Sequence, residues 1–81
     1  MLVRHSLTIT ATCPVDKKPD HYEATVECGR VVKVEDILAA VAGLKAREIF
    51  QEELTQELAR ALGAKVTTTG YHSGVKTICE C

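Results

Sequence analysis

The sequence has no tryptophan, and its two tyrosines and one phenylalanine bring the aromatic content to only 4%. A chain of 81 residues is expected to form one domain that buries about 60–65% of the surface its unfolded chain exposes. With so few aromatic residues, the core must be built from Val, Leu, Ile and Ala. We therefore expect further stability to come from oligomerisation or from a metal rather than from a large interior.

Charge and hydropathy exclude several classes of partner. The net charge is −1, so the chain lacks the basic excess that typically marks a nucleic-acid-binding domain. No apolar run approaches 18 residues, and no hydrophobic region typical of a signal peptide is present. We therefore expect no membrane partner and a cytoplasmic protein.

The four cysteines are irregularly spaced and show no Cys-x-x-Cys pair. Without an export signal, reduced thiols are expected, and Cys79 and Cys81 lie too close in sequence for an easy disulfide. We predict no resident cofactor and no metal. A zinc site is kept as an alternative, and it would need ligands from these thiols and from His5, His21 or His72.

Two segments alternate strictly between apolar and polar residues. They run from Val3 to Cys13 and from Tyr22 to Cys28, which predicts an antiparallel hairpin with one apolar face. A second hairpin is predicted from Ala64 to Gly70 and from Val75 to Cys81, joined by a turn over Tyr71 to Gly74.

Helical spacing of apolar residues separates the two hairpins. A first helix of about ten residues is predicted to begin near Glu35 and to end near Gly43. A second is predicted from about Glu48 to Leu62, with Gly63 ending it. The glutamates of this second helix are interpreted as a solvated face.

The order ββααββ predicts one α+β domain over residues 1–81, a four-stranded antiparallel sheet with both helices on one face. Such a sheet has two unpaired edges, which natural proteins rarely leave bare. We expect subunits to join at these edges into a barrel, which places sites at subunit boundaries.

The most reactive stretch runs from Cys13 to Tyr22, at the tip of the first hairpin. It carries a thiol, two carboxylates, two lysines and an imidazole, and it includes Pro14 and Pro19. Because the prolines stiffen the backbone, Cys13 and Asp20 are expected to face one small molecule. The alternative is a polar hairpin connection with a half-buried cysteine.

The element order, taken with this stretch, resembles the tunnelling fold, or T-fold, whose ββααββ units assemble into barrels and bind purines and pterins between subunits. Cys13-Pro14-x-x-x-x-Pro19-Asp20 resembles the Cys-Pro-x-Thr-Gly-Gln-Pro-Asp motif of 7-cyano-7-deazaguanine reductases and their archaeal amidinotransferase relatives. The resemblance implies that Cys13 attacks a nitrile carbon to form a thioimide and that Asp20 is the general acid. The reductases' Glu-Ser-Lys type motif is absent, so we expect chemistry without a nicotinamide cofactor.

A weaker resemblance runs from His21 to Asp36 and is to 6-pyruvoyltetrahydropterin synthases, although only one histidine of their zinc-binding pair is present. A guanine-like ring also needs a carboxylate to accept its N–H groups. Glu80 is the first candidate for this role and Glu27 the second, with His21 and His72 as further substrate-binding residues.

The sequence therefore predicts a homo-oligomeric enzyme that binds a 7-deazapurine or a pterin between subunits. Two alternatives stay open. One is a purine- or pterin-binding or assembly protein without turnover, and the other is a zinc-dependent enzyme like the pterin synthases or cyclohydrolases.

Overall fold

Two hairpins flank two helices in the computed structural model, which describes residues 1–81. The four strands form one antiparallel sheet in the order β1-β2-β3-β4. This confirms the predicted single ββααββ unit. The elements are β1 (Val3–Thr12), β2 (Pro19–Cys28), α1 (Val34–Val41), a short 3-10 helix (Leu44–Ala46), α2 (Gln51–Leu62), β3 (Lys65–His72) and β4 (Val75–Glu80).

Several predicted boundaries differ from the observed ones, and three of the differences have a clear cause. β2 begins at Pro19 rather than Tyr22, because proline is tolerated as the first residue of a strand. α2 begins at Gln51 rather than Glu48, because Glu48 lies beside Thr12 in an isolated parallel bridge. The second hairpin turns over only Ser73 and Gly74, whose φ angles of 52° and 82° are typical of a tight two-residue turn.

The helices cover one face of the sheet and leave the other open. Thirteen apolar side chains form the core beneath the helices, and all but Tyr22 are aliphatic, as the shortage of aromatic residues predicted. The open face carries cross-strand pairs between β1 and β2: Arg4 with Glu27 at 2.6 Å, Thr8 with Glu23 at 3.0 Å and Thr10 with His21 at 3.0 Å. Neither helix combines the length and the hydrophobicity needed to span a membrane.

Arg30 and Gly63 end helix α2. Gly63 adopts a left-handed conformation with φ of 58°, and the Arg30 guanidinium donates hydrogen bonds to the carbonyl oxygens of Leu62 and Gly63 at 2.7 and 3.2 Å. These contacts satisfy carbonyl groups that have no partner within the helix. The prediction that Gly63 ends this helix is therefore confirmed.

Gly70 of β3 gives the Tyr22 ring the space it occupies. A Cβ atom on Gly70 would lie 2.5 Å from Cδ1 and 2.7 Å from Cε1 of Tyr22, whose side chain is fully buried. We expect Gly70→Ala to lower the free energy of unfolding by about 3 kcal/mol, because the rigid ring has no room to move away. Urea denaturation measures this loss.

Gly29→Ala is the matched control for Gly70→Ala. Its Cβ atom would have only an ordinary contact, 3.8 Å from the carbonyl oxygen of Met1. Equal losses of stability in the two variants would contradict the proposed clash.

Candidate functional site

The loop of residues 13–18, called the cysteine loop below, is held by its own hydrogen bonds. The Lys17 N–H donates to the Cys13 carbonyl oxygen at 3.0 Å, and the Cys13 N–H donates to the Lys18 carbonyl oxygen at 2.8 Å. Lys17 has a φ of 63°, and its ammonium donates to the Pro14 carbonyl oxygen at 2.8 Å and to Glu48 at 3.0 Å. The loop is thus ordered around Cys13, while the Lys17 charge is directed to Glu48.

Asp16 is the carboxylate that faces the Cys13 thiol. The Lys18 N–H donates to Oδ1 of Asp16 at 3.0 Å. This bond, together with a hydrogen bond from the thiol, holds the pKa of Asp16 below its ordinary value. Asp16 is therefore ionised at neutral pH, and it is a weak base that accepts hydrogen bonds rather than protons.

Asp20 lies on the helix-covered face of β2, next to the buried Tyr22. The Tyr22 hydroxyl donates a hydrogen bond to Oδ2 of Asp20 at 3.0 Å. Burial, followed by the neighbouring Asp20, raises the pKa of Tyr22 far above its ordinary value, so the phenol stays protonated and remains a donor. The Asp20 side chain is only 17% exposed, and its Oδ1 lies 4.0 Å from Nδ1 of His72.

These side chains line one cavity of about 450 Å³, called the Cys13 cavity below. It lies between the cysteine loop, the start of β2, the second hairpin and the first turn of α2. The volume falls in the range of small-molecule sites. Its lining residues are Cys13, Val15, Asp16, Asp20, Tyr22, Phe50, Gln51, Glu52, Tyr71, His72, Ser73 and Thr77.

The structure brings three of the predicted site residues together and separates the other three from them. Cys13, Asp20 and His72 all line the Cys13 cavity. His21 follows Asp20 along β2, so it points to the open face, where it contacts Thr10. Its position in a strand, rather than in the predicted loop, accounts for this separation.

Glu27 and Glu80 lie at the other end of the sheet. Glu27 is seven residues along β2 from Asp20, about 23 Å away at the usual rise per residue. Its salt bridge with Arg4 holds its pKa below the ordinary value. Both glutamates border a shallow depression with Lys65 and Cys81. Within one chain, neither reaches the Cys13 cavity.

Glu52 is a site residue that the sequence analysis missed. It lies in the first turn of α2 and lines the Cys13 cavity. The sequence indicated only a solvated glutamate, because its spacing matches the outer face of an amphipathic helix. Its position directly after Phe50 and Gln51, at a helix start facing the cysteine loop, becomes visible only in three dimensions.

No group of three or more His, Cys, Asp or Glu side chains is arranged to hold a metal ion.

The Cys79 thiol lies on the helix-covered face of β4, where burial raises its pKa.

Comparison with known proteins finds a curated relative and solved structures of high similarity. The chain is 33% identical over 85 aligned positions to the archaeosine synthase of Pyrobaculum calidifontis, covering 93% of this chain and 78% of the relative. It also superposes on the crystal structure of the archaeosine synthase QueF-like in its apo form, with a TM-score of 0.85 and 31% identity, covering 99% of this chain and 90% of that one. No family model matches the chain.

Proposed function

Because this chain belongs to the archaeosine synthase family, we propose that it is an enzyme that binds a 7-deazapurine and acts on a nitrile-like carbon of that ligand. Cys13 is the nucleophile and Asp20 the general acid. The observation that carries this proposal is that Cys13 and Asp20 line the same cavity, each held by local hydrogen bonds.

The chemistry requires two proton transfers. The sulfur of Cys13 bonds to the nitrile carbon while one C≡N π bond breaks, which gives a thioimide. Asp20 donates a proton to the nitrile nitrogen, and the thiol proton is lost to solvent as the carbon–sulfur bond forms. Asp20 must then regain a proton before the next reaction. No nicotinamide or metal enters this step.

Ligand binding needs an acceptor for the N–H groups of a guanine-like ring. Within one chain, we assign this role to Glu52, because its carboxylate lines the Cys13 cavity from the first turn of α2. Glu80, Glu27 and His21 can contribute only from a second subunit.

A site between subunits is supported by the exposed edges of the sheet. β1 and β4 each pair with one strand only. Large apolar side chains are exposed on and beside these elements, including Leu2, Tyr71, Val75 and Ile78. We propose that copies of the chain join at these edges into a barrel, and light scattering coupled to gel filtration measures the number of copies.

The test of the proposed function is intact-mass spectrometry after incubation of the full chain with 7-cyano-7-deazaguanine. We expect a mass increase equal to the ligand, mapped by proteolysis to the peptide that contains Cys13. Cys28→Ala is the matched control and should form the same adduct, since Cys28 lies outside the Cys13 cavity. An unmodified wild-type protein would overturn the proposal.

A further inference from the structure

The side-chain amide of Gln51 has only one orientation that satisfies its neighbours. Gln51 is 2% exposed, and its Nε2 lies 3.2 Å from the Thr68 carbonyl oxygen and 3.1 Å from the Thr77 carbonyl oxygen. Carbonyl oxygens can only accept, so the amide nitrogen must face them. Oε1 of Gln51 is therefore directed to the other side, toward His72.

The threonines around Gln51 are consistent with this orientation. Nε2 of Gln51 also donates to the Thr68 hydroxyl at 3.1 Å, and the Thr68 and Thr55 hydroxyls are 2.7 Å apart. The Thr55 hydroxyl donates to the Gln51 backbone carbonyl oxygen at 2.7 Å. Since each hydroxyl has one proton, Thr68 must donate to Thr55. Every donor in this hydrogen-bond network then has an acceptor.

The orientation of Gln51 determines which nitrogen of His72 carries a proton. Oε1 of Gln51 lies 3.2 Å from Nε2 of His72, and an amide oxygen can only accept. Nε2 must therefore carry the hydrogen. In the neutral ring, Nδ1 then has a free lone pair, and this is the nitrogen 4.0 Å from Oδ1 of Asp20.

Asp20 presents a complementary arrangement. The Tyr22 hydroxyl donates its hydrogen bond to Oδ2 of Asp20, and Oδ1 is the oxygen on the side of His72. The 4.0 Å separation is longer than a hydrogen bond, but catalytic hydrogen bonds are often long before the ligand is bound. The His72 side chain is 39% exposed, so its ring also has access to solvent protons.

We propose that Gln51 is a positioning residue that makes Nδ1 of His72 the nitrogen that binds and releases a proton next to Asp20. This inference rests on the proposed function. After Asp20 has given its proton to the ligand, the imidazolium of His72 transfers the Nδ1 proton to Oδ1 of Asp20. The ring becomes neutral, keeps its Nε2 hydrogen, and regains a proton at Nδ1 from solvent.

The tautomer of His72 can be measured without any ligand. In the full chain labelled with ¹⁵N-histidine, long-range ¹H–¹⁵N correlation spectra distinguish a protonated ring nitrogen from an unprotonated one, and His72→Phe identifies the signal among those of three histidines. We expect only the Nε2–H tautomer in the wild type above pH 8. An Nδ1–H tautomer there would overturn the proposal.

Two variants test whether Gln51 is the cause. Gln51→Leu removes the acceptor and is expected to give a mixture of tautomers. Thr55→Val is the matched control, because it breaks the same buried network but leaves the carbonyl oxygens that orient Gln51. We expect Thr55→Val to retain the wild-type tautomer. Retention in a folded Gln51→Leu variant would also contradict the proposal.

The second measurement is the pH dependence of adduct formation with 7-cyano-7-deazaguanine. We expect Gln51→Leu to slow the reaction at saturating ligand by about tenfold and to change its pH profile. This loss is smaller than the 10²–10⁴-fold typical of losing the acid itself. The titratable groups that share the cavity with His72 are Cys13, Asp16, Asp20, Tyr22, Glu52 and Tyr71. A wild-type pH profile in Gln51→Leu would argue against the transfer.

The two measurements separate the two proposals. If the wild type forms no adduct, the proposed function fails while the tautomer of His72 is still determined. If the adduct forms but the tautomer of His72 is Nδ1–H, the proposed function is supported and the proposed role of Gln51 is contradicted.

Discussion

Replacing Cys13 by Ala is expected to abolish the covalent adduct with 7-cyano-7-deazaguanine completely, because no other thiol lines the Cys13 cavity. The dissociation constant of the non-covalent complex should stay close to that of the wild type, since Asp20, Glu52 and the cavity walls are unchanged. Intact-mass spectrometry measures the adduct, and isothermal titration calorimetry measures the binding.

This variant also separates an enzyme from a binding protein. A ligand-binding protein on the same fold would bind equally well with Cys or Ala at position 13 and would form no adduct in either case. An adduct of equal yield in Cys13→Ala would place the reactive nucleophile elsewhere and contradict the assignment.

Replacing Asp20 by Asn is expected to slow adduct formation by about 10²–10⁴-fold, the range typical of losing a general acid. Asparagine keeps the size of the side chain, and its oxygen can still accept the hydrogen bond from Tyr22. It cannot deliver a carboxyl proton to the nitrile nitrogen. Stopped reactions analysed by mass spectrometry over a range of pH measure the rate.

Asp36→Asn is the control for Asp20→Asn. Asp36 lies on helix α1, outside the Cys13 cavity, so its replacement changes the net charge equally without touching the site. If Asp20→Asn reacted as fast as Asp36→Asn, the general acid would have to be another group.

The sequence predicted the first hairpin well because its alternation is strict there. Val3 to Thr12 alternates without interruption, and the predicted register of apolar residues facing the helices is the observed one. The error at the start of β2 had a larger consequence. Asp20 and His21 both lie in β2, and a strand directs neighbouring side chains to opposite faces. The two side chains are therefore separated, whereas a loop could have kept them together.

The site was only partly predictable for a related reason. Cys13 and Asp20 lie in a short motif and could be recognised from it, and His72 was named as a further substrate-binding residue. Gln51 and Glu52 follow the polar pattern of a helix start. Their approach to the cavity depends on how α2 packs against β3, which local sequence patterns do not specify.

The end of β1 is joined to the segment that leads into α2. The Thr12 N–H donates to the Arg47 carbonyl oxygen at 2.9 Å, and the Ile49 N–H donates to the Thr12 carbonyl oxygen at 3.1 Å. Thr12 directly precedes the cysteine loop, while Ile49 precedes α2 by two residues. Local opening of either wall of the cavity must break this pair of bonds, so the amide protons of Thr12 and Ile49 are expected to exchange with solvent as one cooperative unit.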